Sequence, residues 1–436
     1  MKRILFAAAL LMPLAGMAQE LPRPAPTPGD SREFPTPRMV EGQYWDARPP
    51  EKADDKPLFQ QQTRAPYHKV HDYRVTTVTD KLHLPWSIAF LLDGKMLVTE
   101  KYPAHFRIVS ADGSMTEPLA GLADLASART LGLLDVVLAP DFPKSHRIYF
   151  SFFDTLPKGN SNTYLAHAVL DQVGNAVHDV TVIYRGVPEL PMQNFSMKQG
   201  GRIVIARDGT IFMTVGDRDG NRKADYDQQL AQKLDVDVGK IIHVTPDGLP
   251  APNNPFLNRS DVRPEIWAYG IRSPEGFVMA PDGTLWETEH GPRGGDELNR
   301  IQRGKNYGWP IITHGVDYPG SPIGEGIVAK NGLEQPVYYW DPVIAPSGLA
   351  FYKGKLFPRW NGNLLAGALR GMGVYRLEVK NGKIVAEEPL LTDRKERIRD
   401  VRVGPDGAVY VLSDSGGGSI TNNTPVGSKL LKLTPK

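Results

Sequence analysis

The 436-residue chain contains no cysteine, which removes both a disulfide framework and a lipoprotein anchor from consideration. It also lacks a charge excess: 51 Lys and Arg face 49 Asp and Glu, and no long Lys/Arg run concentrates the balance of +2. Tracking phosphates requires a dense basic face, so the composition argues against a nucleic-acid partner and leaves a small-molecule ligand or no ligand at all. Long apolar runs are missing beyond the first. That run, Ile4 to Leu14, follows Lys2 and Arg3 and leads into Gly16-Met17-Ala18 before Gln19. This is the layout of a secretory signal peptide over residues 1–18, too short and wrongly flanked for a membrane anchor. The expectation is an exported, soluble protein without an integral membrane anchor, periplasmic if the source is a Gram-negative bacterium and otherwise secreted, as monomer or dimer. Helical periodicity is scarce too, with Gln228 to Leu234 the clearest short candidate.

With 41% hydrophobic and 23% charged residues, the chain can bury a large core. Residues 19–68 differ from the rest: proline recurs at Pro22, Pro24, Pro26, Pro28, Pro35, Pro37, Pro49 and Pro50, with little apolar periodicity. Such a segment does not offset its own ordering entropy and reads as an extended tether, or a strap laid on the main domain. Residues 69–436 repeat a different theme, a glycine turn followed by alternating β-branched and aromatic residues. It occurs at Gly94–Thr99, His146–Ser151, Gly209–Thr214, Gly283–Thr288, Gly362–Gly367 and Gly407–Leu412, four times introduced by Asp-Gly. Six occurrences at spacings of roughly 45 to 80 residues predict an all-β, six-bladed β-propeller with four-stranded blades and long top-face loops. A β-sandwich would need fewer strands than this.

The densest chemistry lies in Glu289-His290-Gly291-Pro292-Arg293-Gly294-Gly295-Asp296-Glu297-Leu298-Asn299 and, shortly after, Asn306-Tyr307-Gly308-Trp309-Pro310. Permissive glycines, a proline without a donor, and paired acids suit a loop that offers carbonyl and carboxylate oxygens to a hard cation. For Asp296 and Glu297 a capped turn with solvated acids is the alternative.

Together with Gly132–Phe142, Gly200-Gly201-Arg202, Tyr269–Gly276 and Arg397-Ile398-Arg399-Asp400-Val401, these blocks run in order from about Val75 to the C-terminus. The chain thereby resembles the soluble aldose sugar dehydrogenases that use pyrroloquinoline quinone (PQQ), the glucose/sorbosone dehydrogenase family. The resemblance implies PQQ across the top of a six-bladed propeller and a calcium ion held by the Gly291 and Pro292 carbonyls. It implies a second, structural calcium at the Glu297 side chain and the Tyr307 carbonyl. Arg397 and Arg399, placed on one face of a strand, correspond to the family's arginine pair for the cofactor, with Arg399 also stabilising charge that develops on it. Arg272 falls where relatives place another arginine beside the cofactor. Here too an alternative stands: a solvated strand face with Asp393 and Asp400 nearby.

Four positions depart from the family pattern. The catalytic histidine is replaced by Lys198, a cofactor-contacting glutamine by Thr130, an asparagine by Ser273 and a channel lysine by Arg370. The implied reaction is oxidation of an aldose, or a related alcohol or aldehyde, with hydride passing to the quinone and electrons leaving to an external acceptor. Histidine suits the base role because it titrates near neutrality. A lysine starts near ~10.4 and must fall by roughly three units to do the same. Lys198 is therefore either a tuned base or a plain cation for a cofactor carboxylate. The changed contacts leave a second reading, a catalytically altered propeller that serves as a binding or interaction module. His290 is the nearest other imidazole, read as pocket lining, and Tyr318 and Trp340 are aromatics able either to stack on a sugar or to pack internally. The loops Pro157–Asn162 and Tyr318–Gly326 are placed on the substrate side.

Overall fold

In a computed structural model the described residues are 36–122, 125, 131–154, 160–191, 198–218, 229–415 and 427–436. The signal-peptide segment and Thr130 lie outside them.

Six small antiparallel sheets form the blades. Blade one holds Pro85–Phe90, Met96–Glu100 and His105–Val109; blade two holds Leu131–Leu138, Arg147–Asp154, Thr163–Asp171 and Ala176–Arg185. Blade three is Gly200–Ile205, Ile211–Val215, Lys240–Val244 and Ile266–Tyr269, and blade four is Pro274–Met279, Leu285–Glu289, Asp296–Ile301 and Tyr338–Trp340. Blade five is Pro346–Phe351, Leu364–Ala368, Gly373–Lys380 and Lys383–Leu390. Blade six combines Ile398–Val403, Val409–Ser413 and Ser428–Pro435 with Tyr73–Leu82 from the other end of the chain. That last pairing, Tyr73 opposite Pro435 through Leu82 opposite Ser428, closes the ring. The first strands of successive blades touch one another around a complete circle.

All six predicted repeats fall on the second strand of a blade. The Asp-Gly turns that introduce four of them share one construction: Asp93, Asp208, Asp282 and Asp406 each accept a backbone N–H two residues on, at 2.9–3.2 Å. The glycine of each turn has positive φ, +83° at Gly94 and +89° at Gly283, which an L side chain resists.

Among the described residues blade one shows three strands with a bridge between Val109 and Met115 beyond the outer one, and the other five blades have four each. One expectation needs correction. Gln228 lies outside the described residues, and the helical candidate reduces to one 3₁₀ turn, Leu230–Gln232; three residues bury a single alanine, too little to sustain an amphipathic helix.

From residue 36 to 72 the chain follows the outer edges of blades four and five. Tyr339 N–H donates to Gln62 O at 2.8 Å and Glu387 N–H to Pro66 O at 2.9 Å, while Trp45, 1% exposed, packs on Tyr375. Edge strands that would otherwise present unpaired backbone groups are thus covered. Among the described residues no helix is long and apolar enough to cross a membrane.

Candidate active site

First strands begin, and second strands end, at the same face of the ring. A cavity of about 210 Å³ opens there, and its wall comes from those two kinds of position. Trp86, Lys198, Arg272, Ser273, Glu275 and Arg399 come from the starts of first strands; Lys101, His290, Gly291, Leu369 and Asp414 stand just past the ends of second strands; Tyr318 joins from a loop.

The pairing of first and second strands slips at this end in every blade, skipping Trp86, Leu134-Asp135, Gly201-Arg202, Glu275, Ser347-Gly348 and Arg399. A bulge breaks the two-residue alternation and re-aims the extra side chain. Trp86, Leu134, Glu275 and Arg399 are turned to the cavity, whereas Asp135 and Arg202 turn to the centre. There Arg202 lies over the Trp86 ring at 3.9 Å and pairs with Asp400 at 2.9 Å, and Arg402 reaches Asp135 at 2.6 Å and Asp400 at 2.9 Å.

The arginine pair is therefore not two neighbours on one regular face. Arg399 is the bulge residue in the wall, and Arg397 precedes the strand; their guanidinium groups nevertheless meet at Asp414, 3.3 and 3.6 Å from its Oδ2. Arg399 also faces Glu275 at 3.3 Å. Arg370 follows the wall residue Leu369, and its N–H is committed to Ile344 O at 3.0 Å. Trp340 is fully buried, its indole N–H donating to Glu387 at 2.7 Å, so it belongs to the core; of these two aromatics Tyr318 reaches the cavity.

Lys198, with φ +54°, places its ammonium 3.2 Å from Asp217 Oδ1. Asp217 also accepts the Trp309 indole N–H at 2.7 Å, and Trp309 lies beneath the Arg272 guanidinium at 5.1 Å. Arg272 donates to the His290 and Gly291 carbonyls at 2.7 and 3.0 Å. His290 Nε2 lies 2.7 Å from the Pro346 carbonyl, an acceptor only, so Nε2 carries the proton. Burial holds this imidazole down to about 4, and it is neutral.

The Gly291–Pro292 turn is fixed from behind by Asp296, which accepts the Gly291, Ile344 and Ala345 N–H groups at 2.7–2.8 Å. A Cβ on Gly291 would fall 2.3 Å from the Gly294 carbonyl oxygen, so glycine is required for the close approach. Arg272 uses one lone pair of the Gly291 oxygen, and among the described residues nothing donates to Pro292 O. Carbonyls of this kind fit a hard divalent cation.

Beside them lies an acidic ladder. Glu289 is directly opposite Glu297 and Glu287 opposite Asn299, with the Asn299 amide spread over all three carboxylates at 3.1–3.4 Å. Facing like charges oppose pairing, and burial pushes Glu287 and Glu297 well up and Glu289 to about 7. Glu287 Oε1 and Asn299 Oδ1 are buried with no hydrogen-bond partner. The Tyr307 carbonyl, in the next loop, also accepts nothing among the described residues. This oxygen-rich set fits calcium, although no three acidic or histidine side chains among the described residues gather as a metal cage. Carbonyls would have to complete the ligation.

The profile of the Glucose / Sorbosone dehydrogenase family matches residues 82–422. The chain belongs to this family. Aldose sugar dehydrogenase YliI of Escherichia coli (strain K12) is 40% identical over 355 residues, covering 80% of this chain and 92% of that protein. The crystal structure of the E. coli soluble aldose sugar dehydrogenase in its apo-form superposes with a TM-score of 0.74 at 38% identity, covering 84% of this chain and all of that one. The PQQ-bound aldose sugar dehydrogenase from Streptomyces coelicolor gives 0.64 at 26%, covering 84% and 99%. The six-bladed propeller is thus the fold of the glucose/sorbosone dehydrogenases, and the strap before residue 72 lies outside the stretch the family profile covers.

Reading the sequence missed Lys101, Trp86, Glu275, Asp217 and Asp414. A signal for two of them existed: Lys101 and Asp414 immediately follow second strands whose repeats had been located, the place His290 takes in blade four.

Proposed function

We propose that this glucose/sorbosone dehydrogenase is an exported, calcium-assisted PQQ enzyme that oxidises an aldose or a related alcohol or aldehyde and passes the electrons to an external acceptor. The observation that carries the reading is that Arg399 and Gly291 share one cavity, with Arg272 bridging to the Gly291 carbonyl. A polyanionic quinone needs cations on one side and a metal-holding carbonyl turn on the other, and this wall offers both. When bound, the quinone supplies the electrophilic carbon that accepts hydride from the sugar. The chain's residues do the rest: Arg272, Ser273, Arg397 and Arg399 hold and orient the ring, Arg399 stabilises charge developing on it, and Gly291 and Pro292 hold calcium. Glu297 and the Tyr307 carbonyl hold the second calcium. Thr130 and Arg370 are further cofactor contacts by position in the sequence alone. Reconstitution with PQQ and calcium, followed by turnover of a sugar panel with an artificial acceptor, is the test; no cofactor uptake at micromolar concentration would refute the proposal.

The Lys198–Asp217 pair favours a second reading for the base position alone. An ammonium held by a carboxylate acts as a fixed cation, and proton removal then falls to another group. Lys198→His should raise kcat for aldoses by tenfold or more if the catalytic frame is otherwise intact. Binding without turnover in both proteins would instead support an altered propeller that acts as a binding module.

A further inference from the structure

Lys101 belongs to none of the sequence motifs, yet it stands in the cavity wall at the blade-one counterpart of His290 and Asp414. Its main chain is fixed: the N–H donates to Leu84 O at 2.9 Å, and its carbonyl accepts from Leu133 N–H at 3.2 Å, stitching blades one and two together at the mouth. Its side chain is not. Among the described residues no hydrogen bond or ion pair reaches Lys101 Nζ, whose one close neighbour of note is the Phe153 ring at 5.6 Å.

The other cations of the wall are engaged. Lys198 has Asp217 at 3.2 Å, Arg399 has Glu275 and Asp414 at 3.3 Å each, and Arg272 has two carbonyls. The charged groups facing Lys101 are Arg399, Glu275, Asp414 and Arg218, so the nearby carboxylates are the ones Arg399 already holds. An ammonium in the wall of a half-open cavity, with no carboxylate of its own among the described residues, is a place for an anion to dock.

We propose that Lys101 is a carboxylate-binding residue of this site, its ammonium receiving an anionic group of the molecule bound in the cavity. The inference rests on the functional reading above, and the carboxylate has two sources: the quinone cofactor or an anionic sugar such as a hexuronate. Burial, with Arg399 beside it, holds the amine down to about 8, so it is still mostly charged at neutral pH. A bound carboxylate favours the ammonium and raises that value. Its contribution to binding is therefore full below pH 8 and fades as pH rises through the raised value.

The test uses the full chain, stripped of cofactor, as wild type, Lys101→Gln and Lys101→Arg. PQQ is titrated with calcium present and followed by absorbance, and glucuronate is compared with glucose as substrate. If the cofactor is the source, Lys101→Gln weakens PQQ binding about 10- to 100-fold, with Lys101→Arg within a few-fold of wild type. If the sugar is the source, PQQ binding holds, and KM for glucuronate rises by that factor while KM for glucose holds. Unchanged PQQ affinity together with an unchanged glucuronate-to-glucose ratio overturns the inference. Failure of the wild type to take up PQQ overturns the functional reading instead. Lys101 is then judged by the pH midpoint of its amine labelling, which saturating glucuronate must raise above about 8; no rise overturns it.

Discussion

At the scale of single residues, the site depends on close approaches that only particular side chains permit. Gly291 is the clearest: an added Cβ would meet the Gly294 oxygen at 2.3 Å and the Gly295 backbone at 2.4 Å, neither of which can swing away. Gly291→Ala should cost about 1–3 kcal/mol and weaken calcium binding, because the turn must open to admit the methyl group. Thermal midpoints with and without calcium check this; an unchanged difference between the two would show that the turn does not hold the ion. A second residue-scale effect is the Lys198–Asp217 pair. Asp217→Asn removes the carboxylate that fixes the ammonium, and it should change the pH profile of kcat more than that of sugar KM. Much of this chemistry was legible in the sequence, since Gly291, Arg272, Ser273, Lys198 and Arg399 fall in the wall. What was not legible depends on which way a side chain faces. The sequence leaves Trp340 open between stacking on a sugar and packing internally, and the structure shows the packing, with its indole N–H donated to buried Glu387.

At the scale of elements, the bulges decide which residues become functional. Alternation along Arg397-Ile398-Arg399 predicts two arginines on one face, and the slip between Ile398 and Asp400 re-aims Arg399 into the cavity. A period of two is written in the sequence; a missing register step is not. The six second strands were legible in the alternation that follows each turn, and in four of them an Asp-Gly turn also marks the start; in blade one the described residues show three strands with a lone bridge beyond them. The strap is another element whose role comes from contact. Arg293, next to Pro292, is held by Glu51 at 2.7 Å, and Asp341 accepts the N–H groups of Glu51 and Lys52 at 2.8 and 3.1 Å. Trp45→Ala should lower unfolding stability by about 3–5 kcal/mol, because the indole fills the joint between blades four and five. Urea denaturation measures that loss; a change within about 0.5 kcal/mol, typical of a surface site, would mean the strap is not part of the folded unit.

At the scale of the molecule, the first and last strands of the propeller share blade six, and one buried ion network ties blades one, two, three and six around the centre. Ser87, Asp135, Arg202, Asp400 and Arg402 all belong to it. Arg202→Met leaves Asp135 and Asp400 with Arg402 alone, and breaking a buried pair on one side costs about 3–5 kcal/mol. The loss should appear as a lower midpoint of cooperative unfolding, not as local loosening of one blade. The same ring brings the arginine end of blade six and the Gly291 turn of blade four to one mouth. The most direct measurement is a titration of PQQ with calcium into the wild type and Arg399→Gln, followed by absorbance or heat. The account predicts saturable micromolar or tighter binding to the wild type that needs calcium and weakens at least tenfold in the variant. Absent binding, or equal affinity in the two proteins, would contradict it.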